Sequence, residues 1–476
     1  MKALPYTKEA YRLLHEGSIA LAQVEANGVR VDVPYVHATI QSNEARVVKL
    51  QKRMEDSKVM RVWRKTFKDR TNTNSNEQLG KILFDVLGYD CPEKTDTGRH
   101  KTDEKTLATV DIPFVRKLLR IKKIQKGNQF LKGMAKEVCG KLLHPVFSLN
   151  TTITYRSSSD SPNFQNLPVR DAKQADMVRR AIIARKGRQL VEIDYKGVEI
   201  AIAACYHQDP RMVEYISDKS KDMHRDIAEK LYCLPRAEIS DNIRHAAKNK
   251  FVFPEFYGSY WLECSGDLWG AIDPTSGYAR RMVGEGTAKD PTGGLVRKVL
   301  AKHGIRELGN QDRKGKPKPG SFEEHVQKAE AWFWGPEQFH VYAQWKKDWF
   351  AAYQKQGWFL TKTGFICQGF MRKNEVINYP VQGSAFHCLL WSLTELVIRH
   401  LRKRKLRTLI VGQIHDSLLM DVPEEEVEEI LALCYRVMVV LLKRAWGWIN
   451  VPLEIDASVS PPGGSWVDKQ KAKIPT

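Results

Sequence analysis

Residues 189–200, QLVEIDYKGVEI, and residues 407–422, RTLIVGQIHDSLLMDV, carry the strongest signal about the fold of this chain. Both stretches are short and apolar with some alternation, which is typical of β-strands. Each contains an aspartate at a strand end, Asp194 in the first and Asp416 in the second. Taken singly, such an aspartate is more often a cap or turn residue. Two of them from distant strands could instead hold two Mg²⁺ ions about 3.5–4 Å apart, the arrangement used for in-line phosphoryl transfer.

Helical patterns surround these strands. From about Tyr35 to Gln125 apolar residues recur among many Lys and Arg residues, which predicts basic helices with a solvated face. Aromatic helices are expected beyond Glu324, and a final strand is expected in residues 451–459. Residues 265–320 are poorly patterned and are expected to be rich in loops. The predicted fold class is therefore α+β, with one sheet lobe and two mainly helical lobes.

A basic and aromatic pattern occupies residues 244–260, RHAAKNKFVFPEFYGSY. Arg244 and Lys248 are four residues apart, so on a helix they share one face and can grip a triphosphate. Phe253 and Tyr257 are also four apart and can form a platform for a base or a sugar. As a bare pattern, such a helix is more often a solvated face packed on a core. No GxxxxGK[ST] loop occurs, so a bound triphosphate would be held by side chains and metals.

A polar loop precedes the first strand at residues 154–170, TYRSSSDSPNFQNLPVR. Turn-forming residues surround Pro162, and Arg156 and Arg170 lie near the two ends. Amide and guanidinium donors in such a loop can contact minor-groove acceptors and phosphates without demanding a particular sequence. The alternative is an ordinary surface loop with a few helix caps.

The composition limits the possible function classes. The chain has 476 residues, with 76 Lys and Arg against 56 Asp and Glu, and a formal net charge of +20. This surplus favours a polyanionic partner, with nucleic acid preferred over an anionic membrane surface. No run of about 18 uncharged apolar residues occurs, so no membrane-spanning helix is expected. The 12 Trp, 16 Tyr and 17 Phe residues help to build cores, which excludes disorder as the main state.

The eight cysteines and the N-terminus point to a reducing compartment. The cysteines are scattered without a CxxC pair, which argues against a structural zinc site or a disulfide framework. The first residues, MKALPYTKEAYRLLHEG, include acidic residues and no apolar run, so they do not form a secretory signal.

Five motifs in a fixed order give a more specific signal than any one of them. SPNFQNLP, VEIDYKGVEI, RHAAKNKFVFPEFYG, NYPVQGSAFH and QIHDSLLMDV follow one another as in family A DNA polymerases, whose polymerase domain the chain resembles from about Ala20 to Trp466. FVFPEFYGSYW and NYPVQGSAFH are most similar to bacteriophage or other viral members. The resemblance implies a right hand with an antiparallel-sheet palm, helical fingers and a helical thumb. The implied boundaries are a segment leading into the palm (1–35), the thumb (36–148), the palm (149–207 and 363–476) and the fingers (208–362).

The resemblance also implies roles for individual residues. Asp194, Asp416 and the Tyr195 carbonyl would bind two Mg²⁺ ions, or Mn²⁺ in their place. Glu199 would exclude a 2′-hydroxyl, and Lys248 would help to protonate the pyrophosphate leaving group. The implied contacts with the incoming dNTP come from Arg244, Lys248, Phe253, Tyr257, Glu199, His224 and Tyr195. The implied contacts with DNA come from Arg156, Asn163, Gln165, Arg170, Asn378, Gln382 and His415.

Three departures from the family pattern affect these roles. The spacing from Lys248 to Phe253 is one residue longer than in the usual bacterial pattern, and Pro254 follows. We expect a kink or a π-bulge to absorb the extra residue; otherwise Val252 would face the nucleotide. Ser417 stands where the family has an acid, and residues 196–198 differ from the family's Ser-Gln-Ile.

Together these features predict a template-directed, primer-dependent DNA polymerase, a nucleotidyltransferase that acts on primer-template DNA and dNTPs and needs no membrane. The chain begins almost at the polymerase domain, so we expect no proofreading nuclease domain in it. A separate nuclease would then proofread, or the chain is a fragment, or no proofreading exists; a processivity factor is a further expected partner. The expected location is the cytoplasm, or the host cytoplasm and nucleoid if the chain is viral.

Other function classes remain open at this point. A single-subunit RNA polymerase is the nearest alternative, against which Glu199 and the SPNFQNLP loop argue. A catalytically inactive DNA-binding relative is disfavoured by the intact Asp194, Asp416, Arg244 and Lys248. A metal-dependent nuclease is disfavoured because it needs no triphosphate-gripping helix.

Overall fold

A central antiparallel sheet organises the protein. The computed structural model describes residues 7–91, 94–95, 97–168, 171–272, 291–309 and 315–475. The strands within these residues, in chain order, are β1 Val29–Arg30, β2 Leu142–Leu143, β3 Val146–Ser148, β4 Ser158–Asp160, β5 Arg188–Tyr195, β6 Trp358–Leu360, β7 Ile366–Gln368, β8 Leu409–Ile414, β9 Ser417–Pro423, β10 Ile455–Val459 and β11 Gln470–Ala472. Five of them form the central sheet in the order β11-β10-β5-β9-β8. The remaining strands form three two-stranded pairs, β1-β2, β3-β4 and β6-β7.

Helices make up most of the rest of the described chain. In chain order they are α1 Lys8–Asn27, α2 Val33–Glu55, α3 Lys58–Phe67, α4 Asn76–Gly80, α5 Glu104–Leu107, α6 Pro113–Glu137, α7 Ala172–Arg179, α8 Val198–His207, α9 Pro210–Ser217, α10 Met223–Tyr232, α11 Asp241–Ala247, α12 Phe253–Phe256, α13 Trp261–Ile272, α14 Pro291–Lys302, α15 Phe322–Phe333, α16 His340–Gln356, α17 Lys373–Thr394, α18 Val427–Tyr435 and α19 Leu442–Ala445. Segments of π-helix are Lys81–Val86, Lys248–Val252, Glu395–Leu401 and Arg436–Leu441. Short 3₁₀ turns are Lys68–Arg70, Phe164–Asn166, Arg236–Glu238, Glu424–Glu426 and Trp466–Asp468. The α+β fold class is confirmed.

The central sheet separates two hydrophobic clusters because successive strand residues point to opposite faces. Val191, Ile193 and Tyr195 of β5 belong to the largest core cluster, which also contains residues of α8 and α17. Leu190, on the other face of β5, packs in a second cluster with Leu419 of β9. Asp194 shares this second face of the strand. The alternation of β5 therefore places the Asp194 carboxylate near the end of the strand, on the face that packs against the smaller core.

A helical layer lies between β1 and β3 in the chain, and its residues from Val47 to Ile121 contribute a hydrophobic cluster of their own. The long helices α2 and α6 pack against each other. The cluster includes residues of both helices together with Trp63, Ile82 and Leu83. Ser75 caps α4, since its hydroxyl accepts a hydrogen bond from the Gln78 N–H at 3.2 Å.

A second helical layer lies between β5 and β6. Its aromatic residues pack closely, with ring centroids of Phe251 and Phe333 5.3 Å apart and those of Phe256 and Phe339 5.5 Å apart. The prediction of loop in residues 265–320 is wrong for the part covered by α13 and for α14. Leu268 and Ile272 recur at helical spacing and are buried, so packing supports α13 despite its weak pattern. Residues 273–290 and 310–314 of that stretch lie outside the described residues.

Two general findings complete the fold. Searched across the described part of the chain, no helix combines the length and the apolar character needed to cross a lipid bilayer. None of the eight cysteines, all of which lie within the described residues, forms a disulfide.

Candidate active site

Strand pairing brings Asp194 and Asp416 to the same end of the central sheet. Asp194 of β5 lies opposite Ser417, the first residue of β9. The N–H of Tyr195 donates to the carbonyl of Asp416 at 3.2 Å, so the backbones of the two segments are joined directly beside the aspartates. His415, in the two-residue connection between β8 and β9, has a φ of 53°. This left-handed turn reverses the chain within two residues.

Burial and neighbouring acids outweigh the positive charges of Lys471 and Arg156 near the two aspartates. Burial, Asp416 and Asp456 together raise the pKa of Asp194 to about 6. Burial raises the pKa of Asp416 as well, and the Glu199 charge adds to this effect. Carboxylates that are desolvated and repel one another are relieved by a bound cation. The donor set therefore fits a hard divalent metal ion.

The number of carboxylates also fits magnesium. Among the residues that the structure describes, no group of three or more His, Cys, Asp or Glu side chains is arranged to enclose a metal. Mg²⁺ is commonly held by only one or two carboxylates, together with waters and substrate phosphates. Two aspartates and the backbone carbonyl of Tyr195 are a donor set of that kind.

Glu199 connects the aspartates to the neighbouring helices. Gly197, with a φ of 64°, lets the chain turn from β5 into α8, whose second residue is Glu199. One oxygen of the Glu199 carboxylate accepts a hydrogen bond from the Tyr257 hydroxyl. The other lies 3.6 Å from Arg156 Nη1. Burial and the Glu199 charge raise the pKa of Tyr257 far above its ordinary value, so Tyr257 stays a hydrogen-bond donor.

A π-helix absorbs the extra residue between Lys248 and Phe253, as predicted. It spans Lys248–Val252 and continues into α12. Val252 is fully buried, whereas Phe253 is half-buried. The Lys248 ammonium lies 5.1 Å from the centroid of the Phe253 ring, and the Phe253 and Tyr257 centroids are 6.2 Å apart. Phe253 rather than Val252 therefore lies on the side of Lys248 and Tyr257.

Basic residues cluster near Lys248, at the N-terminal end of the π-helix. Arg244 Nε donates to Asp222 Oδ2 at 2.6 Å. The His224 ring meets the Phe253 ring edge-on, with centroids 5.8 Å apart. Burial, with Lys248 and Arg244 nearby, lowers the pKa of His224 to about 4, so His224 is neutral at pH 7. Burial and the Arg244 charge also lower the pKa of Lys248.

The polar loop before β5 is tied to β8 by side chains. Gln165 Nε2 donates to Ser157 Oγ at 2.6 Å and to Gln413 Oε1 at 2.7 Å. Gln413 Nε2 in turn donates to the carbonyl of His415 at 2.7 Å. At Gly412 a Cβ atom would lie 2.8 Å from the buried Phe164 ring. Only glycine permits this close approach of β8 to the loop.

The remaining predicted site residues differ in their surroundings. Asn378 of α17 donates to the carbonyl of Tyr257 at 2.9 Å. Asn163 caps the short 3₁₀ turn that follows it, accepting from the Asn166 N–H at 3.1 Å. Gln382 is half-buried on α17, and the Tyr195 hydroxyl is buried at 2.9 Å from the carbonyl of Met438. Arg170 lies outside the described residues.

Several residues of this region were not anticipated from the sequence. Asp222 caps α10 and accepts a hydrogen bond from Arg244. The cap could have been predicted, because aspartate directly before a helical stretch is a typical N-cap residue. Asp456 lies opposite Asp194 on β10. Lys471 of β11 lowers the pKa of Asp194 through its charge. No local sequence pattern predicts this three-residue strand.

A comparison with solved structures agrees with this architecture. The chain is similar to the structure described as the POL domain of Pol1 from M. smegmatis in complex with DNA primer-template and dNTP. The TM-score is 0.73 at 21% sequence identity, over 96% of this chain and 70% of that chain. The fold is thus that of a polymerase domain with right-hand architecture.

Sequence comparisons give the family. The model of DNA polymerase family A matches residues 41–273 and 366–467. The thermostable DNA polymerase I of Thermus thermophilus is 25% identical over 460 residues, which is 95% of this chain and 48% of the relative. That of Thermus aquaticus is 32% identical over 251 residues, covering 51% and 28%. DNA polymerase I of Bacillus subtilis is 23% identical over 459 residues, covering 95% and 45%.

The family match covers well over half of the chain. The protein belongs to DNA polymerase family A. It spans about half the length of the curated relatives that it matches most extensively.

Proposed function

We propose that the protein is a template-directed, primer-dependent DNA polymerase that adds dNTPs to a DNA 3′-OH by two-metal phosphoryl transfer. One observation carries the proposal: contacts and charge interactions join a candidate metal site to a candidate triphosphate site. The Glu199 charge acts on Asp416, and Glu199 is bonded to Tyr257. The Tyr257 ring lies near Phe253, which contacts Lys248 and His224, and the Arg244 charge acts on Lys248. A nuclease or a simple DNA-binding protein needs no such link.

The parts of the right hand are assigned by their place in the chain. We assign the helical layer of 36–148 to the thumb and 208–362 to the fingers. The palm comprises 149–207 and 363–476, and 1–35 leads into it. The central sheet lies within the proposed palm, and the helix with Arg244 and Lys248 lies within the proposed fingers.

Asp194, Asp416 and the carbonyl of Tyr195 are the proposed ligands of two Mg²⁺ ions, for which Mn²⁺ could substitute. When bound, the ions supply Lewis-acid activation of the primer 3′-OH and charge stabilisation of the transferring phosphoryl group. Asp194 has a raised pKa, so it holds its negative charge less readily than an exposed aspartate does. A cation bound at this end of the sheet would therefore stabilise the charged form of the carboxylates.

The proposed triphosphate contacts come from Arg244, Lys248 and His224. Arg244 is paired with Asp222, so it either shares its guanidinium with the phosphates or exchanges partners when a nucleotide binds. Lys248 has a lowered pKa, which suits a residue that donates a proton to the pyrophosphate leaving group. Neutral His224 would contribute a hydrogen bond rather than a full charge.

The proposed nucleoside contacts come from Phe253, Tyr257 and Glu199. The predicted contact of Tyr195 is limited to its backbone, because its side chain is buried in the core. Phe253 and Tyr257 expose part of their rings on the helix beside Lys248. Glu199 is held by Tyr257 and lies 3.6 Å from Arg156, and we assign the sugar of the nucleotide to the space beside its carboxylate. A fixed carboxylate at that point disfavours a 2′-hydroxyl, and this is the proposed basis for choosing dNTPs.

The proposed DNA contacts are spread over three elements. Arg156, Asn163 and Gln165 lie on the loop before β5, His415 lies in the β8-β9 turn, and Asn378 and Gln382 lie on α17. Arg170 completes the proposed set. Polar side chains on several elements suit recognition of duplex shape and minor-groove acceptors rather than of sequence.

A primer-extension assay tests the proposal. The protein is given a labelled primer on a defined template, Mg²⁺ and either all four dNTPs or all four NTPs. We expect templated extension with dNTPs that needs the primer and stops when one dNTP is left out. Extension with NTPs without a primer would support the RNA polymerase alternative. Binding of primer-template without any extension would support the inactive relative.

Further expectations from the sequence stay predictions. They are the similarity to bacteriophage or other viral members, the cytoplasmic location, and two partners, a separate proofreading nuclease and a processivity factor. The relatives compared above are bacterial.

A further inference from the structure

A buried carboxylate lies on the helix that carries Phe253 and Tyr257. Glu255 of α12 is between these two residues and is only 1% exposed. Its Oε2 accepts a hydrogen bond from Trp334 Nε1 at 2.9 Å, and its Oε1 lies 3.7 Å from Cys264 Sγ. Glu255 therefore faces the core of the helical layer, where an unpaired charge is costly.

A second acid lies beside it. Glu330 of α15 is within hydrogen-bond reach of Glu255, and it accepts from the Trp261 N–H at 2.9 Å. Two adjacent carboxylates in a buried site resist ionising together, which favours a proton shared between them. Burial and the Glu330 charge raise the pKa of Glu255, and burial also raises that of Glu330.

A buried lysine lies beside the pair, and burial lowers its pKa to about 7 although the Glu255 and Glu330 charges raise it. Lys346 of α16 has its Nζ 3.4 Å from the centroid of the Trp334 ring and 3.5 Å from the carbonyl of Glu255. The ionisable groups that face Glu255 are thus Cys264 from α13, Glu330 from α15 and Lys346 from α16. Lys373, at the start of α17, adds a positive charge near Lys346.

We propose that Glu255 and Glu330 share a proton and thereby hold α12 in the position that binds dNTP. Glu255 is then a positioning residue, and the inference rests on the proposed polymerase function. With one shared proton the pair joins α12 to α15. With both groups charged, repulsion would push α12 away from α15, and Tyr257, two residues from Glu255, would move relative to Glu199.

The test compares Glu255→Gln with wild type in single-nucleotide incorporation from neutral to alkaline pH. Glutamine keeps an acceptor for Trp334 and a donor for Glu330, so it mimics the protonated acid. In wild type, KM for dNTP should rise by about tenfold per pH unit once the pair loses its proton, because only the protonated fraction binds. In Glu255→Gln this rise should be absent, leaving only the alkaline change that Lys248 and Lys346 cause in both proteins. Primer-template affinity should not change in either protein.

Two further variants control the test. Glu263→Gln removes an exposed carboxylate from α13 and should follow the wild-type profile. Glu255→Ala loses both hydrogen bonds and should have a raised KM already at neutral pH. The inference is overturned if Glu255→Gln keeps the wild-type alkaline rise in KM, or if its KM at neutral pH matches that of Glu255→Ala.

Hydrogen exchange of the peptide spanning 251–258 separates this inference from the proposed function. After correction for intrinsic rates, wild type should lose protection at alkaline pH and Glu255→Gln should not. This readout needs no turnover. Absence of primer extension would refute the polymerase while the exchange data still decide on the pair, and equal loss of protection in both proteins would refute the pair.

Discussion

Individual side chains of the site are held by partners that the structure identifies, and this makes their roles testable one at a time. Glu199 is fixed from two sides by Tyr257 and Arg156. Asp194 has a raised pKa because it is buried next to other acids. Each of these observations leads to a distinct prediction.

Replacing Glu199 by alanine should weaken discrimination against ribonucleotides. A hydroxyl buried without a partner costs about 1–3 kcal/mol, or about 5–150-fold in rate, so the loss of discrimination should fall at least in this range. The measurement is kcat/KM for ATP and for dATP opposite template dT. The ratio should change far more than kcat/KM for dATP does. An unchanged ratio would remove Glu199 from sugar selection and favour the RNA polymerase alternative.

Replacing Asp194 by asparagine should stabilise the metal-free protein while abolishing extension. Folding raises the Asp194 pKa from 3.8 to about 6, so stability falls as pH rises through this interval and the charge becomes buried. At pH 7 asparagine avoids this cost, about 1 kcal/mol after allowance for solvent screening of a half-buried group. The expected rise in Tm is about 1–2 °C, measured by calorimetry in EDTA. Asp90→Asn, at an exposed position, is the control, and a lower Tm for Asp194→Asn would make Asp194 a structural residue.

Secondary-structure elements place these side chains, and the close contact between β8 and the loop before β5 is an example. Gly412 lies where a Cβ atom would be 2.8 Å from the Phe164 ring. The same loop carries Asn163 and Gln165, and Gln165 is bonded to Gln413 of β8. A shift of the loop would therefore displace proposed DNA contacts.

Gly412→Ala should lower both stability and DNA affinity. Overpacking of a filled core typically costs about 1–3 kcal/mol. Denaturant unfolding should show this loss, and fluorescence anisotropy should show weaker binding of primer-template. Gly447→Ala is the matched control, because nothing lies within 4 Å of its Cβ position. Equal stability of the two variants would contradict the close packing of β8 on the loop.

The sequence predicted elements well where a pattern was long or a spacing was unusual. The alternation of β5 and the apolar run of β8 and β9 located the sheet, and the extra residue before Phe253 indicated the π-helix. Helix α14 begins with Pro-Thr-Gly-Gly, and it was not predicted because proline and glycine have low helix propensity. The partners of Glu255 come from α13, α15 and α16, so no local pattern could reveal that cluster.

Across the whole molecule, the positive charge is unevenly distributed. Residues 36–148 contain 24 Lys and Arg against 13 Asp and Glu, so this layer holds more than half of the net charge of +20. Its long helices α2 and α6 present many of these residues to solvent. A layer of this kind suits a grip on the DNA backbone rather than on bases.

DNA affinity should therefore depend strongly on salt and weakly on sequence. The logarithm of the binding constant should fall linearly with the logarithm of salt concentration, with a slope of about −0.9 per neutralised phosphate. Anisotropy titrations of two unrelated primer-templates over a range of NaCl concentrations give both quantities. We expect the two primer-templates to have the same slope and similar binding constants at each salt concentration. A salt-insensitive affinity, or a strong preference for one duplex, would instead indicate a sequence-specific DNA-binding protein.

The central claim is that Asp194 and Asp416, joined by the pairing of β5 with the β8-β9 turn, hold the metals for templated nucleotide addition. Single-turnover incorporation of dATP opposite template dT, in Mg²⁺, tests it most directly when wild type is compared with Asp416→Asn. We predict that the rate falls by about 10³-fold or more, because electrostatic stabilisation of the transferring phosphoryl group is the main catalytic contribution. Primer-template affinity and Tm should stay close to wild type. A rate for Asp416→Asn within a few-fold of wild type would contradict the two-metal assignment.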